Sequence, residues 1–301
     1  MPILTNGPSR ILGGARGLAV PVPVLGPELL QNGNFEAWSS ATNAETWTES
    51  TSGTSAITRN STDQYAGANC LQIAVDGSNS SVYVLQGSTS AGKWYHFAIW
   101  GELLSGTGSM NFGKLNETRT VSLSSTYTQY VFAHRATSAG GFIISRASAA
   151  NASYVVDDFS AKEITLASMF SARAYTTHAT TKARVTVVPG TRAGVVVNLD
   201  SATAPANAIL ASVDGSTARM TKLVNGVYTE LVSQAVAYVA GAFVEVRRLA
   251  GTDTWQLWYN GAQVGANQTI SDTAIKAAVL HGYFNTYAGN LLSEFSCVAS
   301  A

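Results

Sequence analysis

Charged side chains are scarce in this 301-residue sequence. Lys and Arg together number 18, as do Asp and Glu, so the formal net charge is zero and only 12% of the residues are charged. Non-specific affinity for phosphate backbones and anionic lipid comes from clustered Lys and Arg, and the sequence has no basic run. Nucleic acid and membrane are therefore excluded as main partners.

Cysteines and long apolar runs are scarce as well. Cys70 and Cys297 lie far apart and show neither CxxC nor Cys/His spacing, which argues against a disulfide framework or a zinc site. The apolar run 17–25 contains Pro21 and Pro23. It is too short to span a bilayer and lacks the continuous apolar core of a signal peptide, so we expect no export by a standard signal.

Motifs of catalysis are missing. GxSxG, HExxH, a Walker A sequence and GxGxxG followed by a helix do not occur. Asp157 and Asp158 are adjacent in a predicted strand and therefore point to opposite faces, which disfavours an acid/base pair. We expect a protein without enzymatic activity. The histidines are isolated from one another in the sequence: His96, His134, His178 and His281.

Residues 1–26 form a distinct N-terminal segment. Its prolines and glycines prevent a helix or a central strand, yet its Ile, Leu and Val side chains make it too apolar for a solvated linker. Two interpretations stay open. The segment is either an extended arm that docks on a neighbouring subunit or on capsid or tail proteins, or a tail that frays or packs on its own domain.

Alternation of apolar and polar residues with period two dominates the rest of the chain. Short strand patterns between Gly- and Ser-rich turns are typical of β-sandwiches, and Asp-Gly and Asn-Gly dipeptides suit hairpin turns. We predict an all-β fold with two tandem antiparallel β-sandwich (jelly-roll) domains, 27–164 and 165–301, after the arm. The strand patterns are 70–75, 81–86, 94–100, 127–133, 141–145, 154–159, 182–188, 193–198, 208–213, 218–224, 243–248 and 255–259, and the dipeptides are Asp214-Gly215, Asn225-Gly226 and Asn260-Gly261.

An ordered series of motifs covers most of 27–164. It consists of LLQNGNFE at 29–36, Trp47, YAGANCLQI at 65–73, AGKWYHFAIW at 91–100, YTQYVF at 127–132 and YVVDDF at 154–159. Through these motifs the first domain resembles the jelly-roll carbohydrate-binding modules of the family 4 and 9 group. The resemblance implies a β-sandwich that binds glycans.

A second series of motifs spans the other domain. It consists of 192–197, 207–215, 222–228, 243–247, 255–264, 281–284 and Phe295. Through these motifs the domain resembles a concanavalin A-like, laminin G-type sandwich. Glycoside hydrolases with this sandwich carry acids clustered as Glu-x-Asp-x-x-Glu, whereas Glu230, Glu245 and Glu294 are dispersed here. Modules of both kinds are associated with glycan binding and also occur as outward-facing parts of bacteriophage virion proteins.

The first resemblance also implies a structural calcium ion. In that family the first and last strands are neighbours, and acids together with carbonyl oxygens often hold calcium between them. Glu36, Asp157 and Asp158 are the candidate ligands, and calcium takes six to eight oxygens. The alternative is that Glu36 and one Asp cap the amides of a loop or pair with Arg.

Sugar binding needs flat apolar side chains beside polar groups. Trp94, His96 and Trp100 share one face of a predicted strand, and the more apolar Tyr95, Phe97 and Ile99 share the other, which we predict to be the core face. The Trp face is then a candidate glycan-binding surface, or it packs under a loop or at a subunit contact. In the second domain Trp255 and Trp258 fall on opposite faces, so one of them should be core.

These patterns lead to one preferred function and one alternative. The preferred function is a non-enzymatic structural protein of a bacteriophage virion, such as a capsid decoration protein, a head fibre or a tail-tip module, that displays adhesive sandwiches. A homo-oligomer is expected, with a trimer favoured because fibre-like virion proteins resembling this one are often threefold. The alternative is a secreted or cell-surface carbohydrate-binding protein.

Overall fold

The computed structural model describes residues 18–78, 81–147, 150–177 and 179–299. Within these ranges the chain is almost entirely antiparallel β-sheet, and its helices are a 3-10 turn, Leu166–Met169, and α1, Thr273–Ala277. The prediction of an all-β fold built from antiparallel sandwiches is confirmed. The described chain forms two compact units: 23–165 with 189–191, and 18–22 with 166–188 and 192–299.

The first unit consists of two main sheets and a short ribbon. One sheet has the order β11-β8-β13-β6-β5 with β1 beside β13, the other has the order β10-β9-β12-β7-β4, and β2 pairs with β3. The strands are β1 (Leu25–Glu28), β2 (Trp38–Ser40), β3 (Asn43–Ala44), β4 (Thr48–Thr51), β5 (Ala56–Asn60), β6 (Cys70–Asp76), β7 (Val82–Thr89), β8 (Trp94–Gly106), β9 (Ser109–Lys114), β10 (Glu117–Ser122), β11 (Thr128–Arg135), β12 (Gly140–Arg146) and β13 (Asn151–Ile164).

Aromatic side chains fill the core of the first unit. Phe35, from the motif at 29–36, stacks on Trp47 at a centroid distance of 5.4 Å, and Trp47 stacks on Phe159 at 6.1 Å. Offset or tilted ring pairs at such distances stabilise a core beyond the area they bury. Three separate sequence motifs therefore meet inside one sandwich.

The second unit is a sandwich of two sheets. Their orders are β14-β23-β16-β17-β18-β19 and β22-β21-β20-β15-β24. The strands are β14 (Phe170–Ala174), β15 (Ala179–Thr186), β16 (Ala193–Leu199), β17 (Ala208–Val213), β18 (Thr217–Val224), β19 (Val227–Ala235), β20 (Ala242–Arg248), β21 (Thr254–Tyr259), β22 (Ala262–Thr269), β23 (Leu280–Asn285) and β24 (Leu291–Ala299).

Two of the predicted hairpin turns have the expected backbone. Asn225-Gly226 and Asn260-Gly261 have positive φ at both residues and join β18 to β19 and β21 to β22, as a two-residue turn of this kind requires. In Asp214-Gly215 only the glycine has positive φ. The Asp214 carboxylate instead accepts the backbone N–H groups of the two residues after Gly215, at 3.1 and 2.9 Å, and so forms an Asx-type turn.

The described part of the N-terminal segment is partly packed and partly exposed. Leu18 packs against the core of the second unit, and the buried Pro21 accepts a hydrogen bond from Nδ2 of Asn285 at 3.0 Å. Val20 and Val22, on either side of Pro21 in the sequence, are 37% and 67% exposed. Leu18 and Pro21 therefore pack on the second unit, and docking of the segment on another subunit or on capsid or tail proteins stays a prediction. Residues 1–17 of the predicted arm lie outside the described residues.

Candidate functional site

The central strand of the first unit, β8, separates a core face from an outer face. Tyr95, Phe97 and Ile99 belong to the core, as the alternation predicts. Of the predicted glycan-binding residues on the opposite face, Trp94 is 5% exposed and His96 is 7% exposed. The structure therefore offers little of these two rings to a ligand.

The imidazole of His96 is held in its neutral form. Burial lowers the pKa of its imidazole to about 4, and the nearby Lys162 ammonium acts in the same direction. The ring is therefore neutral at pH 7, since burial disfavours the charged form. Of the three predicted residues, only Trp100 lies at a partly exposed position of β8.

Trp100 is part of an aromatic cluster that we call the aromatic ledge, composed of Tyr65, Trp100 and Tyr127. The rings of Tyr65 and Trp100 stack face to face with centroids 3.9 Å apart and planes at 13°. Tyr127 lies tilted beside Tyr65, with centroids 5.5 Å apart, and its hydroxyl donates to the carbonyl of Asp63 at 2.6 Å. Tyr65 is 42% exposed, so the ledge presents one aromatic face to solvent.

Two carboxylates hold the loop that carries Tyr65. Oδ2 of Asp157 accepts the backbone N–H groups of Tyr65 and Ala66 at 3.2 and 3.1 Å. Oε1 of Glu36 accepts those of Ala68 and Asn69 at 2.7 and 3.2 Å. The stacked position of Tyr65 therefore depends on hydrogen bonds to residues far away in the sequence.

The predicted calcium ligands are engaged in these loop contacts. The second oxygen of Asp157 accepts the N–H of Asp158 at 2.7 Å, and that of Glu36 accepts the Asn69 amide at 3.2 Å. Every carboxylate oxygen of Glu36 and Asp157 thus faces an N–H donor, whereas calcium requires free oxygens. The described residues contain no cluster of three or more His, Cys, Asp or Glu side chains that could hold a metal ion. This geometry fits loop capping better than calcium, which stays a prediction.

Asp157 is fully buried. Burial raises the pKa of its carboxyl to about 6, even though the backbone N–H groups of Ala66, Asp158 and Tyr65 favour the ionised form. Asp158 occupies a bulge of β13 with φ of 47° and lines an open cleft of about 410 Å³ together with residues of 28–34 and 159–162.

Polar side chains lie beside the aromatic ledge on the outer face of the sheet. Gln129 pairs with Trp100 across β11 and β8, and Glu102 follows Trp100 on the same face of β8. Val155 of β13 lies between Glu102 and Gln72 in the sheet register. The Gln72 amide is oriented by Asn60 at 3.0 Å and Ser153 at 2.9 Å. Carboxylate and amide groups beside a flat ring are what the hydroxyls and faces of a sugar require.

The histidines occupy structural positions in the described chain. Nε2 of His134 lies 2.6 Å from Oε2 of Glu117. His281 lies 2.8 Å from the carbonyl of Thr176, and burial lowers the pKa of its imidazole to about 4. His178 lies outside the described residues.

The tryptophans of β21 divide as the alternation predicts. Trp255 is fully buried in the core of the second unit, and Trp258 is partly exposed on the outer face of its sheet. The prediction that one of the two is core is confirmed.

Among the described residues, no helix is long and apolar enough to cross a membrane.

No family model matches the chain, and no curated protein matches it. Similar solved structures include the CBM22-1 xylan-binding domain of Paenibacillus barcinonensis Xyn10C, with 12% identity over 48% of this chain and 98% of that domain, at a TM-score of 0.35. Another is TmCBM61 in complex with β-1,4-galactotriose, with 14% identity over 45% of this chain and 98% of the other, at a TM-score of 0.32. The enzymatically active domain of bacteriophage CBA120 tailspike protein 4 matches at 13% identity over 46% of this chain and 21% of the tailspike chain, at a TM-score of 0.33.

Proposed function

We propose that the first sandwich binds a glycan on the aromatic ledge. The observation that carries this proposal is the stacked pair of Tyr65 and Trp100, which exposes one aromatic face on the outer side of a sheet. A pyranose ring would stack on Tyr65, and Glu102 and Gln129 would bind its hydroxyls. The Trp100 ring stacks on the other face of the Tyr65 ring and holds it in position.

Truncating the ledge should weaken glycan binding. We expect Tyr65→Ala and Trp100→Ala each to weaken the affinity by about tenfold, because a lost aromatic stack is equivalent to about 1 to 1.5 kcal/mol. A glycan array first identifies the ligand for the wild type, and titration calorimetry then measures each variant. Tyr83→Ala is the matched control, because Tyr83 is a partly exposed strand residue of the opposite sheet. Unchanged affinity in both ledge variants would contradict the proposal.

The wider proposal is that the chain is a non-enzymatic structural protein of a bacteriophage virion that displays these sandwiches. Its support is the exposed apolar stretch around Val20, Val22 and Val24, which are 37%, 67% and 57% exposed. Such a stretch favours a protein that buries it against another subunit or a capsid. Many displayed copies would then raise the overall avidity for a glycan, even if the affinity of each single site is weak. The alternative is a secreted or cell-surface carbohydrate-binding protein, for which a monomer would suffice.

Polar substitutions in this stretch should abolish assembly without unfolding the chain. We expect the triple variant Val20→Ser/Val22→Ser/Val24→Ser to be monomeric, whereas the wild type forms a homo-oligomer, a trimer in our proposal. Full burial of a Val side chain contributes about 1.5 to 3 kcal/mol, so covering the exposed fractions of these three, 37%, 67% and 57%, would contribute roughly half of that sum to assembly. The variant keeps Leu18 and Pro21, which pack on the second unit.

Sedimentation analysis of both proteins decides this point, and co-purification with phage particles tests attachment. Val227→Ser is the control, because Val227 is 65% exposed at the start of β19. A wild type that is monomeric, or a triple variant that assembles and attaches normally, would favour the secreted or cell-surface alternative.

A further inference from the structure

The outer face of the β22-β21-β20-β15-β24 sheet carries a second set of charged and aromatic side chains, most of which are partly exposed. Ala183, Val185, Val244, Val246 and Leu257 point into the core of the second unit. The residues that alternate with them therefore point outward. We call this surface the cation–aromatic face; its members are Lys182, Arg184, Phe243, Glu245, Arg247 and Trp258.

Sheet register brings cations over both aromatic rings of this face. Arg184 pairs with Phe243 across β15 and β20, and its guanidinium carbon lies 4.4 Å from the Phe243 ring centroid. Nζ of Lys182 lies 4.8 Å from the same centroid. The guanidinium carbon of Arg247 lies 3.7 Å from the centroid of the Trp258 ring. The rings are thus covered by cations, which leaves less aromatic surface for stacking on a neutral sugar.

The charges of the cation–aromatic face do not cancel. Arg247 forms a two-point ion pair with Glu245, at 2.6 and 3.3 Å, and Arg184 pairs with Glu294 at 2.7 Å. None of the ion pairs in the described ranges includes Lys182, so no carboxylate of those ranges lies within 4.0 Å of its Nζ. Three cations therefore face two carboxylates in a protein whose overall charge is zero.

Amide side chains extend this surface beside Trp258. The indole N–H of Trp258 donates to Oε1 of Gln256 at 3.0 Å. Oδ1 of Asn267 accepts hydrogen bonds from the amides of Gln256 and Gln263 at 2.9 and 3.0 Å. Amides supply both donors and acceptors, so this network suits hydroxyl groups, whereas the neighbouring guanidinium and ammonium groups supply only donors.

We propose that the cation–aromatic face binds an anionic polysaccharide. Its carboxylate or sulfate groups would contact Lys182 and those N–H donors of Arg184 and Arg247 that are not bonded to Glu294, Gly241 and Glu245, because charge-assisted hydrogen bonds to such anions are strong. Its hydroxyl groups would contact Gln256, Gln263 and Asn267. Alternate residues on a strand are about 7 Å apart, so the cations of β15 and β20 can reach successive anionic groups of one extended chain. This site lies in the second sandwich and is independent of the aromatic ledge.

The test uses the full chain and polymers of defined charge. Polygalacturonate and dextran sulfate carry carboxylate and sulfate groups, and fully methyl-esterified polygalacturonate keeps the first backbone without its charge. We expect binding to at least one anionic polymer, no binding to the ester, and a loss of affinity when NaCl is raised from about 0.05 to about 0.5 M, since salt screens exposed charges. Which anion binds distinguishes carboxylate from sulfate recognition.

Variants locate the binding on this face. Lys182→Gln and the double variant Glu245→Gln/Arg247→Gln should each weaken binding by about tenfold, because each removes one charge-assisted contact. Lys93→Gln, which removes an exposed cation of the first sandwich, is the matched control and should bind as the wild type does. Thermal unfolding checks that each variant is folded. Equal binding of the ester, equal binding of poly-glutamate, or unchanged affinity in folded face variants would overturn the proposal.

Discussion

Replacing Glu117 with Gln should lower the free energy of unfolding of the first sandwich by about 3 to 5 kcal/mol. The Glu117 carboxylate lies 2.8 Å from Nζ of Lys114, and the Lys114 side chain is only 2% exposed. The same carboxylate contacts Nε2 of His134 and accepts hydrogen bonds from the N–H and the hydroxyl of Thr137. Its removal would leave a buried ammonium group without a counter-charge, which is far costlier than loss of a surface ion pair.

The pKa of Glu117 gives this prediction a pH dependence. Burial opposes ionisation, but hydrogen bonds from Lys114, Thr137 and His134 outweigh it and lower the pKa to about 2. A carboxyl with a lowered pKa in the folded state stabilises that state above its unfolded pKa, and this contribution is lost as the pH falls. The difference between wild type and Glu117→Gln should therefore be largest above about pH 4.5 and decrease toward pH 2.

Urea denaturation at several pH values measures this difference, and two controls define its cause. Glu163→Gln breaks the exposed pair of Lys93 and Glu163 and should cost less than about 1 kcal/mol. Adding Lys114→Met to Glu117→Gln removes the unpaired ammonium and should restore most of the loss. If the free energy of unfolding of Glu117→Gln lies within about 1 kcal/mol of the wild-type value, the contacts of Lys114, Glu117 and His134 are solvated and the prediction is wrong.

The sequence-derived predictions succeed where local alternation decides the structure. Tyr95, Phe97 and Ile99 share one face of β8 by period two and are the more apolar of its two sets, so the core face follows from residues within this one strand. The hairpins at Asn225-Gly226 and Asn260-Gly261 follow from the need for positive φ in a two-residue turn. These features depend on residues only a few positions apart.

The candidate sites depend on contacts that local patterns do not contain. Tyr65 reaches Trp100 because Asp157, 92 residues further along the chain, holds its N–H. The alternation identifies Trp100 as an outward residue but cannot identify a loop that returns to cover it. Phe243 and Trp258 likewise reach one face through the pairing of β20 with β21. In the sequence, a short tyrosine-containing loop before a strand is only a weak signal of an aromatic site. The pairing of one strand with another has no local sequence signal at all.

Ionisation of Asp157 should destabilise the folded chain by about 2 to 3 kcal/mol. Its carboxyl is fully buried, and its pKa is raised from 3.8 to about 6; each pKa unit corresponds to about 1.4 kcal/mol. When the folded pKa of an acid lies above its unfolded pKa, the folded state binds the proton more tightly. This contribution to stability is therefore complete below about pH 4 and is lost as the pH rises through about 6.

The total stability of the wild type will not show this trend directly. Burial lowers the pKa values of His96 and His281 to about 4, so both rings favour the neutral form in the folded state. Their contribution is complete above an unfolded pKa of about 6.5 and is lost on acidification. Because these two effects oppose that of Asp157 over the same pH range, only a comparison with a variant isolates the carboxyl.

Asp157→Asn provides that comparison, since Asn does not titrate and keeps one oxygen for the N–H groups of the Tyr65 loop. The free energy of unfolding of wild type minus that of Asp157→Asn should fall by about 2 to 3 kcal/mol between pH 4 and pH 7. Asp158→Asn removes the adjacent carboxylate and leaves Asp157 to titrate, so it should keep most of the wild-type pH dependence. A pH-independent difference between wild type and Asp157→Asn would mean that the three N–H groups around the Asp157 carboxylate compensate fully for its burial. In that case the Tyr65 loop would be held as firmly at neutral pH as in acid.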